Sequence, residues 1–471
     1  MDPDLLETDY LVIGAGASAM AFVDTLLSES DTATVLMVDR HGQPGGHWND
    51  AYSFVRLHQP SACYGVNSRE LGSGRKDGSA LGEGLYELAS GAEILSYYEQ
   101  VMHQRFLPSA RVRYFPMCDY TGDRASDHRF VSLLSGEERQ VRVKRKLVDG
   151  THGQTQVPST HPPKYQVAPG VTCLPPNELP RNRQPRPAYV VVGAGKTAID
   201  TCLWLLQNGV APASIHWIIP NDPWLLDRAT LQPGLEFFEQ SIRGFTAQYS
   251  AIAAARSLAE LFERLEGSGQ LLRIDPSITP TAYRGATVTR AELHALRDIG
   301  HKVRLGRVRA IEAGKVLLDQ GSVEVPAGAL FVDCSADGLA GWQAMPAFDG
   351  NRINLTLISN NQPVFSAALI AFLECHLDDG DEKNGYCRPV PIPKVPEDWL
   401  RIWAIYLANV RRWRDNVELS QWLGRSRLYL LTTMIRDLRP EDTERQALLK
   451  ELASARQRAA ERLPALMAGI A

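Results

Sequence analysis

The sequence has no excess of either charge: 50 Lys and Arg against 54 Asp and Glu leave a formal net charge of −4. That balance excludes a nucleic-acid binder that works by electrostatic attraction, and equally a protein drawn to anionic membrane surfaces. Cysteines are few. The seven present (Cys63, Cys118, Cys173, Cys202, Cys334, Cys375 and Cys387) are scattered with no CxxC pair. This argues against a disulfide framework, a zinc ribbon and a dithiol redox site, and no metal cluster is expected. Long apolar runs are missing too. The longest, Phe365–Leu373, is about half the roughly 20 residues a membrane-crossing helix needs, and reads as a core helix. The acidic start MDPDLLETDY lacks the basic and apolar segments of a secretory signal, so a cytoplasmic location is expected, with no membrane and no nucleic acid among the partners.

What is present suffices for large cores. The chain has 471 residues, 44% of them hydrophobic and 22% charged. At about 150 residues per domain this predicts roughly three units, or two with an appendage.

The most informative feature is an internal repeat. YLVIGAGASAMAFVDTLL (Tyr10–Leu27) returns 179 residues later as YVVVGAGKTAIDTCLWLL (Tyr189–Leu206). Each copy is a short apolar run typical of a buried parallel strand, then Gly-Ala-Gly, then a helix with small residues where it meets the sheet. In the first copy Gly14 allows the tight turn, Gly16 lets the backbone approach a pyrophosphate, and Ala19 permits close helix–sheet packing; Gly193, Gly195 and Ala198 repeat those roles. The phosphates would sit at helix N-termini. In the first copy the next strand ends at Asp39, 25 residues after Gly14, where a carboxylate can accept hydrogen bonds from an adenosine ribose. The same offset in the second copy falls on Ile218, so the two nucleotides are expected to differ. GAGKT is not a P-loop, because the required first glycine would fall on Val190. Lys196 and Thr197 then stand at a helix start, with Lys196 either facing a phosphate or solvated.

Between the copies lie a helix over Ile94–Phe106, strands at RVRYF and RKLVDGT, and a Pro- and His-rich boundary loop from Gln154 to Pro187. ALFVDCSADGL (Ala329–Leu339) matches the small-residue ending of LVDGT, and both read as hinge strands. The expected fold is α/β: two Rossmann-like dinucleotide-binding domains, the second (180–325) inserted into a discontinuous first (1–155 and 326–394). A C-terminal helical region (395–471) follows. It opens with Trp399, Trp403, Trp413 and Trp422, which read as helix packing, and closes with a charged helix after Pro440.

This nesting, and the run DRHGQPGGHW after Asp39, resemble the class B flavoprotein monooxygenases, which include flavin-containing, Baeyer–Villiger and N-hydroxylating enzymes. The resemblance covers roughly residues 9–375. It implies FAD on the first turn, with Arg40, Gly46, His47 and Trp48 beside it, and NADPH, or NADH in its place, on the second. It places Arg56, His58 and Gln59 of AYSFVRLHQPSACYGV near the flavin as candidate catalytic residues, with His58 equally readable as a structural histidine. The activity implied is insertion of one oxygen atom from O2 into a small organic substrate through a C4a-(hydro)peroxyflavin.

The chain departs from the family at three points. The FxGxxxH signature between the two motifs is replaced by VAPGVTCLPPNELP. His58 stands where Baeyer–Villiger enzymes carry an aspartate. The segment PNDPWLLDR offers Asn221 and Asp222 before the late Arg228, where an NADPH-reading arginine is expected sooner. A flavin-dependent NAD(P)H dehydrogenase or reductase without oxygen insertion, and a non-catalytic nucleotide-binding protein, therefore remain as alternatives. The substrate and the oligomeric state are not specified by the sequence.

Overall fold

A computed structural model describes residues 5–153, 155–338 and 342–469. Two parallel sheets organise it. In the first, of eight strands, the main path runs Phe348–Asp349, Arg352–Asn354, Glu138–Asp149, Leu5–Ile13, Val35–Val38, Val112–Phe115, parallel except for the first pair, while Arg129–Ser132 adds antiparallel to Glu138–Asp149 and carries Cys118–Tyr120 antiparallel beside it. Val35–Val38 is fully buried, as a continuous apolar run sandwiched between layers should be. Register aligns Ile13 with Val38 and Asp149, so the carboxyl ends of the central strands form one edge. Helix α1 (Ala17–Glu29) leaves that edge, and α2 (Gly91–Val101), opened by a Ser90/Glu93 capping box, packs below.

The second sheet is parallel throughout, in the order Cys173–Leu174, Leu330–Asp333, Tyr189–Val192, Ile215–Ile218, His301–Val303. Helix α3 (Lys196–Gln207) leaves its edge as α1 leaves the first. Placing 326–394 in the first domain needs correction at its start. Leu330–Asp333 pairs with Tyr189–Val192, so the chain returns to the first sheet only after Asp333. The tail of the boundary loop likewise contributes Cys173–Leu174 to this sheet. Leu339, the end of the matching hinge segment, and Gln154 lie outside the described residues.

The inserted domain carries an outgrowth. Pro223–Asp227, Leu271–Leu272 and Ala282–Val288 form a small sheet, bracketing α4 (Phe238–Ala254) and α5 (Leu258–Gly267), with α6 (Arg290–Arg297) after it. Helix α7 (Pro363–His376) holds the Phe365–Leu373 run; it is buried along its length and packs on α1. After the short α8 (Gly380–Tyr386) come α9 (Pro396–Asp415), α10 (Val417–Arg425), α11 (Leu430–Ile435) and α12 (Thr443–Ala468). These four are more than an appendage. Trp413, Leu419 and Trp422 join the core of the first domain, while Trp399, Trp403, Leu452 and Ala455 close a core with α4. The apolar stripe of α12 cannot be buried against solvent, and α4 supplies the partner face.

Candidate functional site

Both glycine turns are built alike. Gly14 sits at φ +90° and its N–H donates to the Val38 carbonyl at 2.7 Å; Gly193 sits at φ +129° and donates to Ile218 at 3.0 Å. Positive φ strains any residue with a Cβ, which is why glycine occupies these two positions. Gly16 makes a different contact. Gly46, from the Gly-Gly-His-Trp turn, lies so close that a Cβ added to it would come within 2.9 Å of the Gly16 Cα. Ala19 is fully buried and faces Gly150, whose added Cβ would approach it to 2.9 Å, so the expected close packing of helix on sheet is present.

Asp39 is 5% exposed at its strand end. One oxygen accepts the Ala15 N–H at 2.5 Å; the other faces the backbone N–H of His41 at 2.7 Å and its Nδ1 at 2.9 Å. His41 Nε2 in turn meets Asp50 at 2.9 Å. Sequence reasoning passed over this imidazole, whose signal was a histidine two residues beyond the strand-end carboxylate. Its hydrogen bond to Asp39, backed by Asp50, pushes its pKa up to about 9. A group whose folded pKa is raised contributes stability fully below its unfolded value, about 6.5, and loses it as pH rises through about 9. The urea midpoint of His41→Gln should therefore fall below that of the parent by the equivalent of about 1–3 kcal/mol at pH 6. The gap should narrow by pH 10, and a gap independent of pH would refute the assignment.

Arg40, largely exposed, reaches the partly exposed Asp119 at 3.6 Å. Trp48 is half-buried against the core, donates from Nε1 to Tyr64 Oη at 3.0 Å, and still lines the cavity in front of the turn, so it serves packing and pocket together. Burial pushes His47 down to about 4, which keeps it neutral. His58 and Gln59 both line the cavity. The His58 ring is reachable from the cavity but enclosed by protein. Desolvation, then the Lys196 charge, lowers its pKa to about 4. Gln59 is held at both ends, donating to the Cys63 carbonyl at 3.0 Å and accepting from Gln362 at 2.8 Å. Arg56 is not in the cavity wall. A bridge to Ser90 turns it outward, where it donates to the Leu88 carbonyl at 3.1 Å, so its candidacy as a catalytic residue is withdrawn.

At the second turn, a Cβ on Gly193 would meet the Cys334 carbonyl oxygen at 2.6 Å, whereas one on Gly195 would meet nothing within 4 Å. The space before α3 is open. Ala198 is fully buried, and the Thr197 carbonyl accepts from Thr201 at 2.8 Å. Lys196 pairs with Asp200, whose other oxygen accepts from Tyr52 of the first domain at 2.8 Å. Phe54 stacks on Trp204 of α3, 5.0 Å between centroids. Near the end of the adjoining strand, Asp222 holds Arg304 through two contacts of 2.8 and 3.1 Å, and Arg228 is buried against Asp77. Neither guanidinium is free for a 2′-phosphate.

A cavity of about 1270 Å³ begins at Gly14 and Gly16, passes Trp48, His58 and Gln59, and runs on to the C-terminal helices. Asn360, Asn361 and Gln362 line it at the start of α7, a helix N-terminus pointing positive potential inward. Trp399 and Trp403, read from the sequence as packing, line it as well. Among the described residues no cluster of His, Cys, Asp or Glu is placed to hold a metal, all seven cysteines are free, and no helix is long and apolar enough to cross a membrane.

No protein-family model matches the chain. The Uncharacterized protein Rv2000 of Mycobacterium tuberculosis is 50% identical over 430 residues, covering 91% of this chain and 79% of that protein. The Uncharacterized protein Mb2023 of Mycobacterium bovis matches to the same extent. Among solved structures, the polycyclic ketone monooxygenase of the thermophilic fungus Thermothelomyces thermophila superposes with a TM-score of 0.52 at 13% identity, over 98% of this chain and 86% of that one. The chain belongs to the family of the two mycobacterial proteins and has the two-dinucleotide fold of the class B flavoprotein monooxygenases.

Proposed function

We propose that this protein is an FAD-dependent, NAD(P)H-consuming monooxygenase that places one oxygen atom from O2 into a small organic substrate. The observation that carries the reading is a pair of glycine turns, each opening a helix at the carboxyl edge of a parallel sheet, the first of which borders the cavity lined by His58 and Gln59. The fold likeness to the fungal polycyclic ketone monooxygenase extends over 98% of this chain and so takes in the C-terminal helices, which supports the reading.

The residues suit FAD at the first turn. Gly16 and Gly46 leave bare backbone where a pyrophosphate must approach, and Asp39, Gly46, His47 and Trp48 line the same cavity. The Gly195 opening at the N-terminus of α3 suits NAD(P)H. With both arginines near the strand end already paired, NADH is as well served as NADPH. A bound flavin supplies hydride exchange and the activation of dioxygen. The chain's own share is positional. His58, neutral at working pH, offers a ring N–H toward the cavity, and Gln59 is fixed by Gln362 and Cys63 so that it cannot swing. Trp399, Trp403 and Tyr406 of α9 give the cavity an aromatic wall, which favours an organic substrate over water.

The test is oxidation of NADH and NADPH under ¹⁸O2 in the presence of ketones, thioethers and carboxylic acids. A monooxygenase yields a product carrying one ¹⁸O atom. NAD(P)H oxidation with all oxygen recovered as hydrogen peroxide from every substrate would instead mark a dehydrogenase or oxidase. No oxidation of either nucleotide would mark a binding protein.

A further inference from the structure

The far end of the cavity has a composition of its own. Phe245 and Tyr249 of α4, Trp399, Trp403 and Tyr406 of α9, and Tyr429 make an aromatic chamber. Into it α12 brings Leu452 and Arg456, four residues apart and so on one face of the helix. The other arginines in the cavity wall are all matched: Arg40 with Asp119, Arg124 with Asp149, Arg284 with Asp337. Among the described residues Arg456 has no ion pair and no hydrogen-bond acceptor, although it is only partly exposed. Its charge reaches the chamber. Burial pushes the phenols of Tyr249 and Tyr429 up, and Arg456 pulls both the other way. A guanidinium on the wall of an aromatic chamber with no carboxylate partner leaves its donors open to an incoming anion.

We propose that the chamber takes an apolar organic acid, its body against Trp399, Trp403 and Tyr406 and its carboxylate on Arg456. Anchored there, the molecule presents the part remote from its carboxylate toward His58 and Gln59. The fate of the acid rests on the monooxygenase reading; its binding does not.

The experiment measures binding alone, on the full-length protein loaded with FAD and without NAD(P)H. Dodecanoate and 2-naphthylacetate are each compared with their primary amides, by tryptophan fluorescence and isothermal titration at pH 7.5. Wild-type protein should hold each acid at least about 10-fold more tightly than its amide, as a charge-assisted hydrogen bond implies. In Arg456→Met the acids should fall to the level of the amides while the amides bind as before, and Arg456→Lys should retain part of the preference. Equal affinity for acid and amide in the wild type, binding of neither, or an undiminished preference in Arg456→Met would overturn the proposal. Should the Met variant fail to fold, the wild-type ratio and the Lys variant still decide. An acid preference without ¹⁸O incorporation would refute the reaction and leave the acid site standing.

Discussion

Gly14→Val should give a protein without yellow colour. The backbone at this position has φ +90°, which a β-branched residue occupies only under strain of about 1–3 kcal/mol. The new Cβ would also lie 3.2 Å from Thr151 Cγ2. The turn cannot relax freely, because the Gly14 N–H is engaged by Val38 and the neighbouring Ala15 N–H by Asp39. Either the turn distorts, carrying away the backbone that meets a pyrophosphate, or valine blocks the approach; flavin affinity should fall by on the order of 100-fold or more. The flavin absorbance of the purified protein, relative to protein absorbance, reports it. Gly195→Val is the matched control. Its Cβ meets nothing and its φ of −80° suits any residue, so the fold and the flavin content should stay normal while reduction by NAD(P)H slows at least about 10-fold. If Gly14→Val keeps full flavin, the first turn is not the flavin site. If Gly195→Val loses flavin too, the two turns are coupled or exchanged.

These turns are legible in the sequence because their requirements are local. A positive φ and a close approach exclude every residue but glycine, and a fixed spacing ties them to the strand before and the helix after. Arg56 shows the opposite case. Its neighbours His58 and Gln59 reach the cavity, yet a single bridge to Ser90, contributed by a segment 34 residues on, decides which way the arginine points. Sequence spacing carries no trace of that bridge. Leu330–Asp333 fails for a related reason, since a four-residue apolar strand fits either parallel sheet equally well and only pairing with Tyr189–Val192 assigns it. Trp403 and Arg456 come together through the packing of three helices, α4, α9 and α12, so their shared chamber has no linear motif.

The second large effect is expected at Asp149, the last residue of a strand ending beside the cavity. It is fully buried. One oxygen accepts from the N–H and hydroxyl of Thr151 at 2.9 and 2.7 Å; the other faces Arg124 and, at 3.0 Å, Arg352. Asp333 repeats the first half of this device, accepting from the N–H and hydroxyl of Ser335 at 3.1 and 2.6 Å, but its remaining partner is the neutral Tyr165. The two carboxylates tie the same turn, and only Asp149 also compensates cations. Asp149→Ala leaves two guanidinium groups facing each other without an anion, a loss usually worth 3–5 kcal/mol for a buried pair. Arg124 is 38% exposed and Arg352 23% exposed, so water relieves part of it, and about 3 kcal/mol is expected. Asp333→Ala forfeits hydrogen bonds alone and should cost about 1–2 kcal/mol. Urea unfolding of both variants checks the order. The decisive comparison is Asp149→Ala combined with Arg352→Met: if the uncompensated charge dominates, the double variant is more stable than the single one. Should the two losses simply add, Asp149 acts through its Thr151 turn, and the Asp149 and Asp333 variants should then be destabilised equally.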